Sequence, residues 1–160
     1  MASSQWACGT AARWRAYCVA VPKPTLTTHE IPSQDDLVRL YSSVGWGVYA
    51  KDPARLHDAI GRSLRVVSAR VGDRLVGLAR LVGDGLTIVY LQDILVDPEY
   101  QRQGLGTELL TAVLKPFADV RQQVLITDDD PGQRAFYETR GFTEIRDVPD
   151  AALRAFVRFT

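Results

Sequence analysis

The sequence predicts an α+β fold, with one mixed sheet of seven strands flanked by four helices. Three observations carry this expectation. Three apolar or alternating runs between Ser63 and Val96 are separated by Gly72-Asp73 and Gly83-Asp84-Gly85, the pattern of an antiparallel meander. The last of these runs enters a glycine-bearing loop, an amphipathic helix pattern and a further apolar run, Val120 to Thr127. Such a strand–helix–strand passage joins parallel strands by a right-handed crossover. Helix starts with side-chain caps then stand before and after this middle section.

In order, Thr25 to Ile31 is rich in β-branched residues and reads as the first strand, ended by Pro32-Ser33. Ser33 caps a helix, with Asp36 as a weak capping-box partner, and Leu37, Leu40, Tyr41 and Val44 recur at helical spacing. Gly45-Trp46-Gly47 closes it. Asp52-Pro53 starts a second helix, a cap followed by proline at the first helical position, with Leu56, Ala59 and Ile60 on its apolar face. The meander follows as Ser63 to Val71, Leu75 to Leu81 and Leu86 to Val96. The third helix carries Leu109, Leu110, Val113, Leu114 and Phe117 and is broken at Pro116. Val124-Leu125-Ile126 is the centre of the fifth strand. Asp130-Pro131 opens the fourth helix, which ends at Gly141. Phe142 to Asp147 and Leu153 to Phe159 read as the last two strands.

A chain of 160 residues suits one domain, taken as residues 23–160 after a leader at 1–22. Nineteen basic residues balance nineteen acidic ones, so nothing points to a nucleic-acid or polyanion partner. Both cysteines, Cys8 and Cys18, fall in the leader, and His29 and His57 lie far apart, so neither a disulfide framework nor a metal site is expected. No apolar run approaches a membrane span, and Ala16 to Val21 is too short for a signal sequence. The expectation is a cytoplasmic protein.

The chemistry centres on Leu91 to Leu110, LQDILVDPEYQRQGLGTELL. A helix start leaves backbone N–H groups without partners and carries partial positive charge, so it binds phosphate readily. Gly104 and Gly106 let a ligand approach the backbone, and Arg102 adds a cationic fork suited to pyrophosphate. A Walker loop would need Gly-Lys-Ser/Thr, which is missing, and a Rossmann fingerprint would need a third glycine or alanine where Leu109 stands. A lone Gly-x-Gly before a helix is most often only a turn. Here Gln101-Arg102-Gln103-Gly104-Leu105-Gly106 follows a buried strand and precedes Phe136-Tyr137-Glu138-Thr139-Arg140-Gly141-Phe142.

Together these segments resemble the GNAT superfamily of N-acetyltransferases, with its Q/R-x-x-G-x-G/A coenzyme A signature, over Thr25 to Phe159. The resemblance implies acetyl-CoA as co-substrate. It also implies a parallel pair of strands that splays apart to admit the pantetheine arm. The backbone of Ile94, Leu95 and Val96 would line that opening, and Gln101, Arg102, Gln103, Gly104, Leu105, Gly106 and Thr107 would cradle the pyrophosphate. A backbone N–H near Ile94 or Leu95 would hold the oxyanion, and Tyr137 would protonate the thiolate. A homodimer through sheet edges or the last strands is a further implication.

Three assignments stay open. Asp130 is well placed as a helix cap; most family members have asparagine there, and aspartate resembles the plant arylalkylamine (serotonin) N-acetyltransferases, where it aids catalysis. The glutamate that serves as base in some members would align near Tyr90, so it is missing. Asp93 is either a buried base or a structural carboxylate paired with backbone or an arginine; Tyr90 and Gln92 are expected on one face of their strand and Asp93 on the other. Tyr41, Trp46, Tyr49, Tyr90 and Gln92 would line the acceptor pocket, and aromatic walls suit an arylalkyl or cationic amine, with polyamines, aminoglycosides and protein amines as rivals. The competing functions are a non-catalytic acyl-CoA-binding sensor, against which Tyr137 speaks, and a nucleotide-binding domain, against which the missing Lys-Ser/Thr speaks.

Overall fold

The computed structural model describes residues 23–28, 30–149 and 152–159. The leader expected over residues 1–22, with Cys8 and Cys18, lies outside them, as does His29. The elements are β1 (Thr25–Thr27), α1 (Gln34–Ser43), α2 (Gly47–Ala50), α3 (Pro53–Gly61), β2 (Arg65–Val71), β3 (Arg74–Gly83), β4 (Ile88–Val96), α4 (Leu105–Leu114), β5 (Gln122–Leu125) and α5 (Pro131–Glu138). They build one sheet in the order β1-β2-β3-β4-β5, antiparallel except for the parallel β4/β5 pair.

Local chemistry explains the starts. Ser33 accepts the Asp36 amide at 3.2 Å and Asp52 the Arg55 amide at 3.0 Å, each satisfying a helix-end donor. Asp84 takes the amides of Leu86 and Thr87, both at 2.8 Å, and so shapes the loop between β3 and β4. Gly83 has no alternative there: a Cβ on it would sit 2.4 Å from the Ile88 carbonyl oxygen. Two cores then cover the sheet. Leu37 and Leu40 of α1, with Leu56 and Ile60 of α3, pack on Leu75, Leu78 and Leu95. Leu109, Leu110 and Val113 of α4 pack on the opposite face, against Val67, Val76 and Val89. Each leucine so buried contributes about 1.5–3 kcal/mol.

Three expectations change. The sheet has five strands among the described residues, not seven. Residues 142–147 hold only a 3-10 turn at Ile145–Asp147, and residues 152–159 have no regular structure. Arg134 explains the first case, because it binds Glu138, Glu144 and Asp147 together and draws the chain against α5. The Leu153–Phe159 run has strand-like composition but no paired strand among the described residues, and its Phe156 and Phe159 side chains are exposed. Second, the closing turn of α1 continues into the short helix α2. No helix among the described residues is long and apolar enough to cross a membrane.

The third change is in β4. Arg80 pairs with Asp93 while the adjacent Leu81 pairs with Leu91, so Gln92 is an extra, unpaired residue. This β-bulge reverses the alternation. Val89 and Leu91 face α4, but Asp93 and Leu95 face α1 and α3. Asp93 therefore lies on the same side as Tyr90, not opposite it. Its Oδ2 accepts Arg80 Nε at 2.5 Å and the Tyr41 hydroxyl at 2.6 Å.

A buried ion pair deprived of one partner leaves an uncompensated charge. Arg80→Leu is thus expected to lower stability by about 3–5 kcal/mol, and Arg80→Leu with Asp93→Leu to recover much of it. Urea unfolding measures both; a single-variant loss as small as that of an exposed pair, about 1 kcal/mol or less, would contradict the buried geometry.

Candidate active site

The site begins where β4 loses its neighbour. β5 pairs with β4 only from Ile88↔Gln122 to Leu91↔Leu125. Beyond that point β4 runs on for five more residues, through the bulge, while the chain after β5 turns away toward α5. The two strands part, leaving a cleft of about 310 Å³. Its β4 wall is Leu91, Gln92, Ile94, Leu95 and Val96; opposite stand Ile126, Thr127, Asp128, Gln133 and Tyr137. Val44 and Trp46 close one side and Gln101 another.

Backbone alternation fixes which groups face the opening. The Asp97 amide donates to the Val76 carbonyl of β3 at 2.9 Å. Successive residues point their N–H and C=O to opposite edges, so Ile94 and Val96 present theirs to the unpaired edge. The Val96 carbonyl accepts Gln101 Nε2 at 3.0 Å, which accounts for that group. The Ile94 amide and carbonyl remain at the wall of the cleft.

At the end of β4 the chain is pinned before it turns into α4. Asp97, buried, accepts Arg74 at 2.8 Å and the Glu99 amide at 3.1 Å. Arg102 adopts φ 58° and Gly104 φ 89°. Space around Gly104 is open, so the demand for glycine there is conformational. The Gly104 carbonyl accepts the Thr107 and Glu108 amides, at 3.0 and 3.1 Å. The amides that precede them, at Leu105 and Gly106, have no intrahelical acceptor. Leu105 anchors this first turn in the core, whereas Arg102 and Gln103 are exposed on the loop, with Gln103 Nε2 donating to the Glu99 carbonyl at 3.0 Å. Unpaired amides, a left-handed loop and a nearby guanidinium fit a diphosphate. An extended tail would fit the open edge of β4, so the residues present suit coenzyme A.

Tyr137 lies on α5 across the cleft, 7% exposed. Its ring is held edge-on by Phe136 at 5.0 Å and Phe142 at 5.8 Å between centroids. Burial pushes its hydroxyl up to about 12, so it keeps its proton at neutral pH. α5 is tied directly to the cradle. Arg140 donates to Thr107 Oγ1 on the first turn of α4 and to the Phe136 carbonyl at 2.5 Å, with its guanidinium 3.9 Å from the centre of the Phe136 ring.

The other anticipated residues divide. Trp46 and Gln92 line the cleft. Tyr41 is fully buried beside Trp46, and Tyr49, exposed, meets Tyr41 edge-on and lies tilted against Trp46. Tyr90 lies outside the lining; burial, then the Asp93 charge, raises its hydroxyl pKa. Asp93 is also outside the lining, engaged by Arg80 and Tyr41, so the geometry is that of a paired carboxylate. Asp130 caps α5 through the Gly132 and Gln133 amides, at 2.8 and 3.0 Å. Asp128, not Asp130, reaches the cleft lining. Sequence reading gave Val44, Thr127, Asp128, Gln133 and Arg140 no place in the site. The rule that ligands collect at the carboxyl ends of parallel strands, applied to β5 as well as β4, would have found Thr127 and Asp128.

Comparison with known proteins agrees with this geometry. The model of the acetyltransferase (GNAT) domain matches residues 49–153. The ycf52-like N-acetyltransferase of Prochlorococcus marinus is 34% identical over 112 residues, 68% of this chain and 61% of that protein, so the chain spans less than two thirds of this relative. A GNAT-family acetyltransferase from Streptococcus pneumoniae superposes with a TM-score of 0.71 at 36% identity, covering 84% of this chain and 98% of that one. An aminoglycoside N-acetyltransferase solved with CoA shares the fold, with a TM-score of 0.64 at 16% identity over 85% of this chain and 94% of its own. By domain, sequence and fold, the chain belongs to the GNAT family of acetyltransferases.

Proposed function

We propose that this chain is an acetyl-CoA-dependent N-acetyltransferase acting on a primary amine of a small molecule, with an arylalkylamine as the favoured acceptor. The observation that carries the reading is the cleft where β4 and β5 part, with the unpaired Ile94 backbone on one wall and protonated Tyr137 on the other. CoA bound to the aminoglycoside enzyme of the same fold supports the choice of co-substrate. Trp46 at the mouth, backed by Tyr41 and Tyr49, supports an aromatic acceptor.

In the reaction the neutral amine attacks the thioester carbonyl. A C–N bond forms, the C–S bond breaks, the nitrogen loses a proton and the sulfur gains one. The chain's first contribution is alignment: the loop and first turn of α4 hold the diphosphate while the edge of β4 holds the extended tail. The Ile94 amide at the open edge is placed to stabilise the developing oxyanion. Tyr137 donates a hydrogen bond to the departing sulfur. A phenol near 12 holds its proton more tightly than a thiol of about 8.5, so the proton transfer draws on the acidity that the nitrogen acquires once it has bonded to the carbonyl, as the C–S bond breaks. Asp128 at the cleft wall is within the site to take the amine proton through water, and Gln133 can only hydrogen-bond that water.

A thiol-release assay with acetyl-CoA and a panel of tryptamine, serotonin, spermidine and lysine peptides tests the activity. Turnover is expected, greatest with the arylalkylamines. Tight coenzyme binding without turnover of any amine would favour a sensor instead. Tyr137→Phe is expected to lower kcat about 100-fold while leaving KM for acetyl-CoA little changed. Wild-type kcat in that variant would remove Tyr137 from the chemistry.

Because the hydroxyl of Tyr137 titrates near 12, its useful protonated form persists through the working range. The pH–rate profile is expected to rise with amine deprotonation and show no falling limb below about pH 10. A falling limb centred near pH 9 would contradict the assignment. Gly104→Ala forces a side chain into φ 89°, a strain of about 1–2 kcal/mol, and should raise KM for acetyl-CoA by up to about 30-fold at near-normal kcat. An unchanged KM would count against the cradle.

A further inference from the structure

Behind the cleft lies a buried polar network outside the reaction described above. Asp93 is 1% exposed, and its Oδ2 takes both Arg80 Nε and the Tyr41 hydroxyl, while its buried Oδ1 has no partner among the described residues. Arg80 comes from β3, Asp93 from β4 and Tyr41 from α1. Only the bulge at Gln92 brings Asp93 to this side of the sheet. Replacing a buried ion pair with apolar side chains is often neutral or stabilising, so the pair is weak as a source of stability. What it supplies is direction. The leucines of α1 adhere to the sheet through contacts that tolerate sliding, whereas a hydrogen bond to a fixed carboxylate sets one position along the helix.

Tyr41 passes that position on. Its ring meets Trp46 edge-on at 6.3 Å and Tyr49 at 6.0 Å, and its carbonyl accepts the Trp46 amide at 2.9 Å. Trp46 reaches the cleft, whereas Tyr41 and Asp93 do not. A continuous path therefore runs from the bulge of β4, through Asp93 and Tyr41, to the indole at the cleft. The same strand segment carries the Ile94 amide, one residue beyond Asp93.

We propose that Asp93 and Tyr41 are positioning residues that set the Trp46 wall of the acceptor pocket relative to the β4 edge. This role rests on the reading of the cleft as an acetyl-transfer site, but its geometry can be measured without any acceptor. Replacing Trp6 and Trp14 by phenylalanine leaves Trp46 as the sole indole. In that background, Tyr41→Phe keeps the ring and removes the bond to Asp93, and Asp93→Asn removes the charge. With far-UV circular dichroism confirming folded protein, acrylamide quenching of Trp46 should rise above the parent in both. KM for tryptamine should rise about tenfold, with KM for acetyl-CoA unchanged.

Folded Tyr41→Phe protein with parental quenching would overturn the proposal, as would an equal rise in both KM values. Tyr41→Phe carries the test if Asp93→Asn does not fold. Failure of the parent to bind acetyl-CoA would defeat the functional reading, yet the quenching comparison would still decide whether Tyr41 sets the indole.

Discussion

Backbone hydrogen-bonding groups inside a folded protein need partners, and β4 violates that demand for half its length. Up to Leu91 it is paired on both sides; beyond Leu91 it is paired with β3 alone. A bulge sits at the transition, so the strand changes both its facing and its neighbours within one residue. The Ile94 backbone is left at the wall of a cleft rather than in the sheet. An extended ligand with amide groups answers that unfilled edge as a further strand would. The placement of the cradle, of Tyr137 and of the aromatic wall all follow from where the edge opens.

Charge is segregated around this opening. The formal charges behind β4, on Arg80 and Asp93, are sequestered in mutual contact. At the start of α4 the Leu105 and Gly106 amides lack intrahelical acceptors and Arg102 stands exposed on the loop, with Glu108 the acid of that first turn. Across the cleft stands a neutral phenol, Tyr137, whose pKa is raised by burial. This division suits a reaction whose anionic co-substrate binds at the helix start while charge develops only transiently at the reacting carbonyl. Arg140 joins the two regions by fastening the α5 helix that carries Tyr137 to the first turn of α4.

Much of this was legible in sequence because the information was local. Ser33, Asp52 and Asp130 cap helices as their spacing implies, and the loop from Gln101 to Gly106 declares a helix start with room for a ligand. Tyr137, singled out in its segment, lines the cleft. The misses were nonlocal. A bulge depends on register with the neighbouring strand, so nothing in QDILV reveals that Gln92 would be extra and Asp93 would change sides. Tyr41 looked like a pocket wall because aromatic character says nothing about depth; its hydroxyl is spent on Asp93. The last two runs had the composition of strands, but Arg134 gathers the acidic residues after α5 and Phe156 and Phe159 find no sheet.

Amide hydrogen exchange, read residue by residue by NMR with and without coenzyme A, addresses the central claim most directly. Coenzyme is expected to slow exchange at two separate places together: the open edge of β4 at Ile94 and Val96, and the start of α4 at Leu105 and Gly106. Coenzyme binding that leaves both sets of amides exchanging as before, or protects surfaces elsewhere, would contradict it.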